Sequence, residues 1–85
     1  MGKKKITVEE LILQYISTMI EDLGDVSVEI IEDIPVIVKE GLWHIYVMET
    51  GIRGIGCFLD DDVRIYQEIK RLAPGILDIY SKNKE

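Results

Sequence analysis

The stretch IPVIVKEGLWHIYVMETGIRGIGCF, residues 34–58, decides the fold of this chain. β-branched and aromatic residues dominate its first half, and Glu40-Gly41 separates two apolar runs. Apolar runs joined by a short glycine-containing turn are typical of a β-hairpin. We therefore predict one strand over residues 34–39 and a second strand that starts at Leu42.

A two-residue turn at Glu40-Gly41 would determine which side chains of this hairpin share a face. Lys39 would then face Leu42, and Val38 would face Trp43. The face expected to pack on helices holds Ile34, Val36, Val38, Trp43, Ile45 and Val47. The opposite face is too apolar for water and holds Pro35, Ile37, Lys39, Leu42, His44, Tyr46 and Met48. The protein interface predicted on that second face consists of Ile37, Leu42, Tyr46 and Met48.

An amphipathic helix is predicted before the hairpin, from about Thr7 to Leu23. Thr7 and Glu10 have the spacing of a capping box, and Gly24 suits the position that ends a helix. The apolar positions recur every three or four residues. They are Val8, Leu11, Ile12, Tyr15, Ile16, Met19, Ile20 and Leu23.

Two further strands are predicted on either side of the hairpin. Residues 26–31 alternate between apolar and polar side chains, which is typical of a strand with one buried face. Glu32-Asp33 is predicted to form the turn that follows. The glycines of residues 51–56 predict a loop, a bulge or a bent strand. Alternation from Ile55 onward predicts a fourth strand ending near Phe58, with Cys57 as a small core residue.

A second helix is predicted from Asp61 to Leu72, because Asp60-Asp61-Asp62 supplies carboxylates to the positive end of the helix dipole. Pro74-Gly75 is expected to break it, with a short last helix through Tyr80. The predicted class is a two-layer α+β domain in the order α-β-β-β-β-α. Its four-stranded antiparallel meander would carry the N- and C-terminal helices on one face. The domain spans residues 1–85, with residues 1–5 and 82–85 expected as flexible tails.

Charge and composition exclude several classes of partner. The net charge is −6, and the 15 acidic and 5 basic residues between Ile6 and Ser81 give −10 for that part. Such a body is repelled by phosphate backbones, so no nucleic-acid partner is expected. No apolar run approaches the ~20 residues of a membrane helix, so no membrane partner is expected. The single cysteine favours a reducing compartment, and we expect a cytoplasmic protein.

Three short motifs were weighed for chemistry. Gly51-Ile52-Arg53-Gly54 has the GXXG pattern of KH domains, but it follows a strand and contains one basic residue. Asp60-Asp61-Asp62 lacks the ligand spacing of a calcium loop. His44 and Cys57 could form an imidazole–thiolate pair across strands. No catalytic, metal-binding or cofactor-binding residue is predicted from these motifs.

Three functions remain open at this point. The first is a non-catalytic acidic protein-binding module, similar in role to a chaperone, adaptor or inhibitor, that acts as a homodimer. The second is an acidic inhibitor or DNA mimic of viral or mobile-element type, motivated by the charge of the body. The third is a small hydrolase that depends on Cys57. The apolar outer face of the predicted hairpin favours the first, with itself and another protein as partners.

Overall fold

A computed structural model describes residues 6–84 and confirms the predicted two-layer α+β class. The elements in chain order are α1 (Val8–Met19), β1 (Ser27–Ile31), β2 (Ile34–Lys39), β3 (Trp43–Met48), β4 (Gly51–Gly56) and α2 (Asp60–Asn83). The strands form one antiparallel sheet in the order β1-β2-β3-β4. Helix α1 packs on β1 and on α2, and α2 packs on β2, β3 and β4. Within residues 6–84, neither helix is long and apolar enough to cross a membrane.

The start of α1 follows the predicted capping box. The Glu10 backbone N–H donates to Thr7 Oγ1 at 3.2 Å, and the Thr7 N–H donates to Glu10 Oε1 at 3.0 Å. The helix ends earlier than predicted, because Ile20 is extended and Asp22 adopts a φ of 58°. Ile20 and Leu23 nevertheless remain buried beside the helix, whereas Met19 is exposed.

The two hairpins of the sheet use turns of different length. Between β1 and β2, Glu32 and Asp33 form the predicted two-residue turn, with φ values of 50° and 69°. Positive φ at both positions suits the right-handed twist of the strands. Between β2 and β3, Lys39 pairs with Trp43, so three residues form the turn. The prediction of a two-residue turn at Glu40-Gly41 was therefore wrong.

Leu42 is the extra residue of the β2–β3 turn. Its N–H donates to the Lys39 carbonyl at 2.9 Å, and Gly41 has a φ of 78° that glycine adopts without strain. Because side chains alternate along a strand, a shift of one residue exchanges the two faces of β2. Ile37 therefore faces the helices, whereas Val36 and Val38 face away from them, opposite to the prediction.

The core lies between the helices and the inner face of the sheet. Ile37 and Ile45 are neighbours on that face, and both are 0% exposed. From the helices the core receives Ile12, Ile16, Ile65, Ile69, Leu72 and Ile76. Because both helices cover this one face, the opposite face of the sheet has no covering layer among residues 6–84.

Strand β4 begins at Gly51 rather than near Ile55 and ends at Gly56, paired along its whole length with β3. A Cβ at Gly54 would collide with the rings of Phe58 and Tyr66. A Cβ at Gly56 would collide with the backbone of the β2–β3 turn. The glycines thus permit close packing within a strand. Cys57 lies beyond the strand and is exposed, so its predicted core position was wrong.

Helix α2 is continuous through Pro74, which corrects the predicted break. Pro74 removes one helical hydrogen bond, but buried residues on both sides of it hold the helix against the core. The helix also includes residues 82 and 83, for which a tail was expected. The predicted tail at residues 1–5 and residue 85 lie outside the described part of the chain.

Candidate functional site

The face of the sheet that points away from the helices is called the outer sheet face here. The strand registers arrange its side chains in three rows across the sheet; the first two rows are paired through all four strands, and the third continues the β2–β3 register by two residues. The first row is Ser27, Val38, His44 and Ile55. The middle row is Glu29, Val36, Tyr46 and Arg53. The third row is Ile31, Ile34, Met48 and Gly51.

The middle of the outer sheet face is apolar and is shielded by its neighbours. Val36 is 0% exposed and Val38 is 3% exposed, although no helix covers them. The rings of His44 and Tyr46 stack beside them, with centroids 6.5 Å apart. Ile55, at the margin on β4, is 52% exposed. The face therefore presents packed side chains to its surroundings rather than a cleft.

The four residues predicted as an interface separate in the structure. Tyr46 and Met48 lie half-buried on the outer sheet face, and their role in an interface stays a prediction. Ile37 lies in the core instead, because the turn is one residue longer than predicted. Leu42 lies in that turn and packs against the edge of the core.

Sequence reasoning missed other members of this face. Val36 and Val38 were assigned to the wrong side by the turn length. Arg53 and Ile55 were hidden because the glycine-rich segment was not recognised as a full strand. The alternation of β1 correctly placed Glu29 on a solvent-facing side. The alternation of β3 correctly placed His44, Tyr46 and Met48 on the outer sheet face.

Charge on the outer sheet face is confined to two residues of the middle row. Glu29 is on the β1 edge and Arg53 is on the β4 edge, and both side chains are exposed. Neither forms an ion pair with another residue in the range 6–84. A chain with a strongly acidic body thus has one outer face with balanced charge.

A second polar cluster lies at the start of α2, around the carboxylate of Asp62, which is 2% exposed. Asp62 Oδ2 accepts the Leu59 backbone N–H at 3.0 Å, and Lys39 Nζ lies 3.4 Å from Oδ1. The hydrogen bond from Leu59 is the main reason that the pKa of Asp62 is lowered, with smaller contributions from Trp43 and Lys39. Helix capping accounts for this cluster, since the carboxylate binds the free N–H before the first turn.

The indole N–H of Trp43 is the unusual group near this cluster. It is buried and has no partner in hydrogen-bond geometry among the described residues. A buried donor without a partner reduces stability. Trp43 is among the groups that lower the pKa of Asp62, so the indole lies near this carboxylate.

A third cluster ties the end of α2 to the β1–β2 turn. The Tyr80 hydroxyl donates to Asp33 Oδ1, and Lys84 Nζ lies 3.7 Å from Asp33 Oδ2. The hydrogen bond from Tyr80, followed by the charge of Lys84, lowers the pKa of Asp33. The same bond raises the pKa of Tyr80. These contacts join two elements distant in sequence, which is a structural role.

The motifs weighed for chemistry are not assembled into a reactive site. Residues 51–54 lie within β4, so the GXXG pattern is part of a strand. No group of three or more potential metal ligands occurs in the described range. His44 is on the outer sheet face, and no hydrogen bond joins its ring to Cys57. Activation of the Cys57 thiol by this imidazole would require such a contact.

Comparison with known proteins finds no matching family model, no matching curated protein and no matching solved structure. The class shown by the structure is architectural: a two-layer α+β domain in which one sheet face is not covered by any element among residues 6–84.

Proposed function

We propose that this chain is a non-catalytic protein-binding module that forms a homodimer through its outer sheet face. The observation that carries the proposal is the position of both helices on the inner face, which leaves an apolar outer face without a covering layer. Apolar surface of this kind on a soluble domain is typical of a protein interface. A second copy of the chain supplies an equally apolar face.

The size of the face sets the expected strength of association. Four strands about 4.8 Å apart, five residues long in β1 and six in the others, at about 3.4 Å per residue give a footprint of about 19 by 20 Å. This is smaller than the ~800 Å² per partner of a standard stable interface. The dimer is therefore expected to be reversible, with a dissociation constant in the micromolar range rather than tighter.

The remaining surface of the dimer would be available to another protein. The acidic groups lie mainly on the helices and turns, which would stay exposed when two sheets pack together. The module would thus act as a chaperone-like, adaptor-like or inhibitor-like component for a partner protein. We further propose a reducing compartment such as the cytoplasm, which is supported by the single, exposed Cys57.

Light scattering after size exclusion at ~100 µM tests the dimer. The wild-type chain should elute with the mass of two copies. The variant Ile55→Glu places a carboxylate on the outer sheet face at a residue that is 52% exposed in the monomer. It should remain folded and should shift toward the monomer. A stronger shift is expected when Tyr46→Glu is added.

Val63→Glu is the matched control, because Val63 is also β-branched and 50% exposed but lies on α2. It should dimerise as the wild type does. Circular dichroism melting confirms that each variant folds. A wild-type chain that stays monomeric at ~100 µM would refute the proposal. An equal loss of dimer in Ile55→Glu and in the control Val63→Glu would also refute it. Ile37 was also predicted in the interface, but Ile37→Glu cannot test the dimer because it would place a charge in the core.

A further inference from the structure

The two charges of the outer sheet face occupy matched positions. Glu29 pairs with Val36, Val36 with Tyr46, and Tyr46 with Arg53, so the four residues form one row across the sheet. This row is the middle of three. Glu29 and Arg53 are three strand spacings apart, about 14 Å, which is too far for an ion pair within one chain. The two opposite charges therefore do not pair with each other within one copy, and neither forms an ion pair with any other residue in the range 6–84.

Two-fold symmetry allows two simple ways to pack one outer sheet face on another. If the axis is perpendicular to the strands, each strand lies over its own copy. Glu29 then meets Glu29 and Arg53 meets Arg53, so like charges face each other at both margins. If the axis is parallel to the strands, β1 lies over β4 of the second copy. Glu29 then meets Arg53 of the second copy, and this pairing occurs twice.

Side-chain size agrees with the parallel axis. Ile31 would face Gly51 of the second copy, where no side chain competes for space. Two packed sheets lie about 10 Å apart, with strand directions within about 30° of each other. Glutamate and arginine are long enough to reach each other across that distance at the margins.

We infer that the homodimer has its two-fold axis parallel to the strands, between β2 and β3, and that Glu29 and Arg53 form two symmetric ion pairs between the copies. This inference rests on the proposed function, because it specifies the partner and the register of the same surface. The ion pairs select this arrangement over the perpendicular one, since that arrangement places like charges together.

Complementary charge reversal tests the arrangement. In a dimer of Glu29→Lys, the new lysine of each copy meets Arg53 of the other, so both contacts are repulsive. In a dimer of Arg53→Glu, the new glutamate of each copy meets Glu29 of the other, which is again repulsive. Each variant alone should dimerise about tenfold more weakly than the wild type. An equimolar mixture of the two should restore association, because each copy then meets the opposite charge at both margins. Sedimentation equilibrium measures affinity, and native mass spectrometry identifies the mixed dimer.

Glu49→Lys is the control for net charge, because Glu49 is exposed and lies in the β3–β4 turn, outside the outer sheet face. It should dimerise as the wild type does. If Glu29→Lys and Arg53→Glu each dimerise as tightly as a dimeric wild type, the inferred axis is wrong and the proposed function stands. The same conclusion follows if mixing the two variants does not restore the wild-type dimer affinity. If the wild type is monomeric, both are wrong.

Discussion

Trp43 is a buried core residue of β3 that packs against the aromatic side chains beside β4. It is 1% exposed, and its ring stacks on Phe58 with centroids 5.4 Å apart and planes 10° apart. Phe58 in turn meets Tyr66 edge to face at 5.8 Å. Because Gly54 has no side chain, the rings of Phe58 and Tyr66 can pack directly on β4. One side chain thus connects the end of the sheet to the first turns of α2.

We predict that Trp43→Ala lowers the free energy of unfolding by about 3–5 kcal/mol, because it leaves a large cavity and removes the stacking surface of Phe58. A small domain has a total stability as low as about 5 kcal/mol, so the variant should be largely unfolded. Urea titration followed by far-ultraviolet circular dichroism measures the change. Val63→Ala, at an exposed position, is the control and should change stability little. A cooperative Trp43→Ala transition near the wild-type midpoint would contradict the predicted burial.

At the scale of elements, α2 is held together by its environment rather than by its local sequence. Pro74 has no N–H to donate to the carbonyl four residues earlier, and proline is the poorest helix former. The helix persists because Leu72, Ala73 and Ile76 around it are buried against the core. Gly75 also packs directly against Tyr15 of α1, where a Cβ would collide with the ring.

Pro74→Ala is therefore expected to stabilise the protein by about 1–3 kcal/mol, because Pro74 is exposed and alanine restores the missing hydrogen bond. The increase should appear as a higher urea midpoint with an unchanged slope. The control is Gln67→Ala, at another exposed position of α2. By the same helix-propensity scale it should change the free energy of unfolding by only a few tenths of a kcal/mol. A destabilised Pro74→Ala variant would show that proline is needed for the close approach of α2 to α1.

At the scale of the whole molecule, the charge distribution is uneven. Between Ile6 and Ser81 the net charge is −10, yet the outer sheet face carries one acidic and one basic residue. The remaining acidic groups between Ile6 and Ser81 lie on the helices and in the connections between elements. A negative field of this kind repels polyanions at a distance, whereas the outer sheet face has balanced charge.

We predict no measurable binding of single- or double-stranded oligonucleotides at physiological salt, because this field opposes approach to phosphate. Fluorescence anisotropy with labelled oligonucleotides at 150 mM salt, a condition with a Debye length of about 8 Å, measures the affinity. A micromolar or tighter dissociation constant would contradict the prediction. Repeating the titration at low salt separates residual attraction to the lysine-containing ends from binding by the body.

Local signals in the sequence were sufficient for most elements. The capping box of Thr7 and Glu10, the alternation of β1 and the turn at Glu32-Asp33 each depend on residues close together in the chain. Short connections between strands then favoured the antiparallel meander, and the structure has that order. The uncovered sheet face was also predictable, because two main helices can cover only one side.

The identity of the residues on that face was not predictable in the same way. One extra residue in the β2–β3 turn exchanged the faces of β2 and moved Ile37 into the core. Both faces of β2 are apolar, so hydrophobic pattern alone could not distinguish the two registers. The glycines of β4 were likewise ambiguous, because their fit depends on Phe58 and Tyr66 packing above them.

The sequence by itself determined the order and type of the main elements, because capping, alternation and periodicity are local properties. Only the tertiary structure decided three things: the register of β2 on β3, the continuity of α2 through Pro74, and the row that joins Glu29 to Arg53. Each of these depends on contacts between residues far apart in the chain. Such contacts are selected by the packing of the whole core, which no short window of sequence contains.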